Sequence, residues 1–222
     1  MVAVSAARGT APRGRPREAD RAARRDALLE TAMRIFLVNG YGGTSIEQIA
    51  TEARVAKRTV YTTLGDKADL FIAVVRRLGD RVVDSVAQAP DDLRGFCVRL
   101  VEMMLSDQPI GLHRLVIAEA TNFPDLAARL YANGPQRYIE VLAAMLARVD
   151  PGRRRFESTD PTAAAEQLFT LLLGERQRRR LFAMTPAPTT AEVDAHVTRT
   201  LALFVEAPLS PSEPPGSPGS GR

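Results

Sequence analysis

This chain is short of the residues that most chemistry needs. It has one cysteine, two histidines and two lysines among 222 residues, and no uninterrupted apolar run approaches the ~20 residues of a membrane span. A single cysteine, Cys97, allows no internal disulfide framework and fits a reducing compartment. Flanked by Phe96, Val98, Leu100 and Val101, it reads as a buried core thiol in preference to a redox sensor. His113 and His196 have no metal-ligand spacing to another histidine, cysteine or carboxylate pair. Neither a Gly-rich phosphate loop nor a nucleophile elbow is present. No metal, no cofactor and no enzyme activity are therefore expected. The N-terminus opens on Arg8, Arg13, Arg15 and Arg17 instead of an apolar signal stretch, so a cytoplasmic protein with no membrane partner is expected. Strand alternation and internal repeats are also missing, which leaves an all-α chain.

What is present is concentrated. Residues 44–67, TSIEQIATEARVAKRTVYTTLGDK, read as two short amphipathic helices joined by a tight turn, and both lysines, Lys57 and Lys67, fall inside them. Ile46, Ile49, Ala50 and Ala53 share one face of the first helix, Val55 plugs the turn, and Val60 and Leu64 carry the apolar face of the second. The opposite face shows Lys57, Arg58, Thr59, Tyr61, Thr62 and Thr63, the side-chain set that bonds phosphates and base edges. An ordinary helical hairpin with a solvated basic face would also look like this. Charge placement favours DNA. Residues 1–67 hold twelve Lys or Arg against seven Asp or Glu, a net +5, whereas the whole chain is +4 and the remainder therefore −1.

The flanks carry a resemblance. Ala32, Phe36, Gly40 and Tyr41, then Thr44-Ser45, Ile49-Ala50, Val55, Thr59-Val60-Tyr61, Lys67, and Leu70-Phe71 follow the pattern of the DNA-binding domain of TetR-family transcriptional regulators, over about residues 24–75. Three positions depart from it. The turn has Arg54 where the family usually has glycine, Ala56 stands where serine often caps the recognition helix, and Thr63-Leu64 replaces the usual His-Phe. Residues 112–181, with Arg114–Ala120, Phe123–Ala127 and Ala164–Leu173, resemble the AefR-like branch. The resemblance implies a three-helix, helix-turn-helix DNA-binding domain at 19–66 and a helical ligand-binding and dimerisation domain at 67–206. It also implies that a homodimer binds a near-palindromic double-stranded operator and responds to a small-molecule effector. By position, Thr44, Ser45, Tyr61 and Lys67 are expected at phosphates, and Lys57, Arg58, Thr59 and Thr62 at bases. A non-specific architectural DNA binder, an activator and a ligand-independent regulator are the competing readings.

Elsewhere the pattern gives helices near 20–39, 67–88, 92–106, 110–121, 124–133, 135–149, 160–183 and 190–206, with prolines 109, 124, 135, 151 and 161 at or between their starts. Residues 1–18 form a basic Gly/Pro-rich arm expected to be disordered. Its Arg13-Gly14-Arg15-Pro16 resembles an AT-hook core that would lay Arg13 and Arg15 in a minor groove; a solubilising tail is the alternative. Residues 207–222 read as a disordered Pro/Ser/Gly tail. Met103, Met104, His113, Phe123, Tyr138, Phe169 and Leu173 are the pocket candidates, with plain core packing as the alternative. The resemblance also implies that the last two helices form the dimer interface, through Leu168, Phe169, Leu171, Leu172, Val193, Val197, Leu201 and Phe204, with intrachain core as the alternative. The arginine run 176–180 reads as a solvated helix end, or as an anion contact.

Overall fold

The computed structural model describes residues 18–205, apart from 151, 153 and 156–159. The Arg13/Arg15 arm and the tail at 207–222 lie outside the described residues. Ten α-helices follow in order: α1 Glu18–Asn39, α2 Ile46–Glu52, α3 Lys57–Leu64, α4 Lys67–Gln88, α5 Leu93–Met104, α6 Asp107–Glu119, α7 Pro124–Asn133, α8 Pro135–Arg148, α9 Pro161–Leu181 and α10 Thr190–Leu201. Among the described residues the only β pairing is an isolated bridge between Arg154 and Val205.

Local chemistry sets most boundaries. Ser45 and Asp66 each form a reciprocal capping box, with Gln48 and Asp69, and so start α2 and α4. Thr189 does the same for α10 with Glu192. Pro124, Pro135 and Pro161 open their helices, where the missing N–H is no loss. Three boundaries differ from the sequence pattern. The helix expected from residue 110 begins at Asp107, because proline is tolerated anywhere in a first turn and Pro109 does not interrupt it. The helix expected as one rod at 160–183 is broken at Gly174, where φ is 24° and ψ −119°, in open space that meets no neighbour. The last helix stops at Leu201 instead of 206. The chain then turns so that Phe204 is buried and its carbonyl accepts the Arg155 N–H at 2.9 Å.

Two apolar cores lie along α4. The first gathers Leu29, Met33 and Phe36 of α1, Ile49 of α2, Val60 of α3, and Leu70, Phe71 and Val74 of α4. It also takes Leu112 and Val116 of α6 and Leu126 of α7, so burial does not stop at the 66/67 division. An aromatic cluster locks its centre. Phe71 meets Phe36 and Tyr41 edge-on at 5.1 and 5.6 Å, and Phe123 meets Tyr41 at 5.0 Å. The second core joins Val82 of α4 to Phe96, Leu100, Leu142, Leu146, Leu168, Leu172, Val193 and Val197. Cys97 is buried there, and burial pushes its thiol up to about 12, which suits an inert core thiol.

Candidate nucleic-acid interface

The reading head is built outward from its buried face. Val60 and Leu64 anchor α3 on the core, and the 3.6-residue period then turns Lys57, Arg58, Thr59, Tyr61 and Thr62 to solvent. The turn into α3 carries the two costs visible in the sequence. Arg54 takes a left-handed conformation at φ 55°, where a side chain costs about 1–2 kcal/mol relative to glycine. Ala56 sits at the N-cap with no side-chain hydrogen bond. Val55 recovers one backbone bond, its N–H donating to Ala50 O at 3.0 Å.

The exposed cations differ in freedom. Arg58 and Thr59 have no side-chain partner among the described residues. Lys57 is ion-paired with Glu47 of α2 and sits 5.7 Å from the Tyr61 ring centre. The Glu47 hydrogen bond raises the lysine pKa and lowers that of the carboxylate. Thr62 back-bonds its hydroxyl to Arg58 O at 2.9 Å, leaving only acceptor capacity for a base.

Two expected phosphate contacts have their side chains engaged within the chain. Thr44 is buried, and its hydroxyl donates to Gly40 O at 2.7 Å, so its side chain faces the loop and not a phosphate. Lys67 donates to Tyr41 O at 2.9 Å and Thr44 O at 3.0 Å, with its ammonium 4.4 Å from the Tyr41 ring centre. Two of its three N–H groups are engaged, so Lys67 braces the 41–44 loop. Ser45 and Tyr61 remain on the surface. The sequence pattern missed that Glu119 of α6 also holds this loop: Gly42 N–H donates to its Oε1 at 3.0 Å. No local signal marks a partner 77 residues away.

Behind the head a small apolar cavity lies between α4, α5, α6 and the α7–α8 corner. Val75, Leu78, Met103, Met104, Leu112, His113 and Tyr138 line it. Four of the seven pocket candidates therefore meet here. Phe123 does not; it packs on Tyr41 in the first core. Phe169 and Leu173 belong to the second core. Val75 and Leu78 were missed, since on α4 they look like any core-facing pair.

The interface candidates are corrected more heavily. Leu168, Leu172, Val193, Val197 and Phe204 are buried within the single chain and offer no surface to a partner. Phe169 and Leu201 are partly buried against the same core. Leu171 is 49 % exposed, and Phe182 and Met184 in the turn after α9 are 71 % and 69 % exposed. The arginine run also divides. Arg178 and Arg179 pair with Glu175, while Arg180 is buried, donating to Leu105 O and Thr185 O at 2.9 Å and pairing with Asp107.

A helix-turn-helix head with a polar cationic recognition face, set on a larger helical body, defines a DNA-binding regulator. Residues 28–74 match the model of bacterial regulatory proteins of the tetR family. Residues 91–207 match that of the AefR-like transcriptional repressor C-terminal domain. The HTH-type transcriptional repressor SCO4008 of Streptomyces coelicolor is 30 % identical over 145 residues, 65 % of this chain and 72 % of that one. The HTH-type transcriptional activator FasR of Mycolicibacterium smegmatis is 36 % identical over 66 residues, 30 % of each chain. Among solved structures, a Mesorhizobium loti protein described as of the TetR family superposes with TM-score 0.65 at 30 % identity, covering 83 % of this chain and 98 % of that one. NalD of Pseudomonas aeruginosa superposes with TM-score 0.62 at 22 % identity, covering 84 % and 97 %, a likeness of fold. The chain belongs to the TetR family of transcriptional regulators, with an AefR-like C-terminal domain. It is a DNA-binding transcriptional regulator. Among the described residues no helix is long and apolar enough to cross a membrane.

Proposed function

We propose that this protein is a cytoplasmic, homodimeric repressor whose hold on a near-palindromic operator is released by a small molecule. Two heads enter successive major grooves, with half-site centres about one helical turn, ~34–36 Å, apart. Arg58 and Thr59 read base edges. Tyr61 and Ser45 position the head on phosphates, Lys57 stays paired with Glu47, and Lys67 sets the shape of the loop in front of α2. The second copy docks on the exposed apolar groups of α9 and its following turn, Leu171, Phe182 and Met184.

The observation that carries effector control is that α6 touches both the cavity and the head. Leu112 and His113 line the cavity. Six residues beyond His113 on the same helix, Glu119 accepts the Gly42 N–H, and the following Phe123 packs on Tyr41. A molecule that wedges α6 from α4 must shift this grip on the 40–44 loop. It weakens DNA binding only to the extent that it binds the DNA-incompetent arrangement more tightly.

The test is fluorescence anisotropy on the duplex upstream of the protein's own gene against a scrambled duplex, at ~150 mM salt. Arg58→Ala is expected to lose about 1–3 kcal/mol of discrimination and to leave scrambled-DNA binding nearly unchanged. Tyr61→Ala/Lys67→Ala is expected to abolish tight binding to the specific duplex. Equal binding of both duplexes by the wild type would turn the reading to a non-specific architectural protein. The likeness to FasR, an activator, makes the sign of regulation a separate readout, taken with a promoter fusion.

A further inference from the structure

The cavity between α4 and α6 has a chemistry of its own, and what it selects rests on the effector reading above. No Lys, Arg, Asp or Glu lines it. The charged groups felt at the Tyr138 hydroxyl, Arg137 and Asp80, are paired with each other at 2.7 Å and present no net charge. Two polar side chains interrupt the apolar wall, His113 from α6 and Tyr138 from α8. Neither has a hydrogen-bond partner among the described residues. The one fully buried side-chain nitrogen or oxygen left unpartnered among them is Gln177 Nε2, so the polar atoms of His113 and Tyr138 are not sealed in the core. Burial lowers the pKa of His113 and pushes that of Tyr138 up to about 12, so both are neutral at pH 7. A neutral imidazole and a phenol each offer one donor and one acceptor. The wall thus supplies hydrogen bonds without a countercharge, and an ion placed there would be desolvated and unpaired.

We propose that the cavity takes an uncharged, mainly apolar molecule with a hydroxyl or carbonyl facing His113 and Tyr138, and that it rejects carboxylate, phosphate and ammonium compounds of the same shape. The free volume in this conformation is about 50 Å³, well under the ~300 Å³ at the lower end of drug-sized sites. Entry therefore displaces Met103 and Met104, the unbranched and most adaptable side chains of the wall. It also loads Tyr138, whose hydroxyl lies against the α4 backbone at Gly79, where a Cβ would collide with it.

The test is calorimetric titration of the full-length protein at pH 7.5 with four probes that share one naphthyl ring: 2-naphthol, naphthalene, 2-naphthoate and 2-naphthylmethylammonium. The neutral naphthol is expected to bind, naphthalene at least about tenfold more weakly for the loss of its hydrogen bonds to His113 and Tyr138, and both ions about 100-fold or more weakly. Tyr138→Phe, which removes no hydrogen bond within the described residues, is expected to weaken naphthol about tenfold and leave naphthalene unchanged. The proposal is overturned if either ion binds within about tenfold of naphthol, if Tyr138→Phe weakens both neutral probes alike, or if none of the four binds below ~1 mM. Operator anisotropy on the same samples separates the two ideas. Release by an ion but not by naphthol overturns the ligand class and keeps the effector reading. The expected discrimination with no change in operator affinity keeps the class and overturns the effector reading.

Discussion

Replacing Glu47 with glutamine measures how much of the head's positive charge is already neutralised before DNA arrives. Glu47 of α2 holds Lys57 of α3 in an exposed ion pair, with the side chains 57 % and 50 % exposed. While that pair persists, Lys57 neutralises a carboxylate and not a phosphate, and it releases no counterion on binding. Each phosphate neutralised by a cation steepens log K against log salt by about 0.9. Freeing one lysine in each of two heads therefore steepens the slope by about 1.8. Between 50 and 200 mM salt, a fourfold change, that difference amounts to about tenfold in affinity. The assay is anisotropy of a labelled duplex titrated at four or five salt concentrations. Glu47→Gln is expected to gain affinity on specific and scrambled duplexes alike, because phosphates are the same in both. Glu47→Gln/Lys57→Met is expected to return to the wild-type slope. An unchanged slope in Glu47→Gln would refute the reasoning: it would mean that Lys57 leaves Glu47 for a phosphate in the wild type.

The turn into α3 is expected to be improvable. Arg54→Gly and Ala56→Ser should each stabilise the protein by about 1 kcal/mol in denaturant unfolding, and unchanged midpoints would show that the turn relaxes in solution. Leu171→Asp is expected to yield a folded monomer by light scattering, whereas Leu168→Asp, buried completely within the chain, should fail to fold; a folded Leu168→Asp would contradict the core assignment. Burial holds both histidines below their ordinary pKa, in His196 against the opposing pull of its Leu172 carbonyl contact at 3.0 Å. Below an unfolded pKa of about 6.5 the unfolded chain then binds more protons than the folded one. Melting temperature should therefore be flat above that pH and fall as pH drops from 6.5 toward 5.5, and His113→Gln/His196→Gln should flatten the fall. A melting temperature that rises on acidification would reverse the sign of this argument.

The elements that were legible in the sequence are those decided by neighbours in the chain. Ser45 with Gln48 and Asp66 with Asp69 start helices through contacts three residues long. The alternation of Val60 and Leu64 with Lys57, Arg58 and Tyr61 fixes which face of α3 is buried wherever α3 packs. Gly174 shows the limit of that logic. A glycine within a helical period is tolerated, and nothing in the local sequence says that this one adopts φ 24° and breaks α9. Lys67 shows it for the site. Its position promised a phosphate contact, and two carbonyls of a loop 23 and 26 residues earlier come within reach and accept hydrogen bonds from two of its three N–H groups.

By itself the sequence determined that this chain is helical and which face of α3 is polar and cationic. Periodicity and spacing carry that information because they act over one or two helical turns. Only the tertiary structure decided which apolar faces cover each other. Leu168 and Leu171 are the same residue type three positions apart, yet the first is buried in the second core and the second is half-exposed. Likewise the cavity joins Val75, Met103, His113 and Tyr138 from four helices, and Glu119 reaches back to Gly42. Such pairings depend on how whole helices cross. Apolar contact is non-directional, so the pattern of a single helix does not specify its partner.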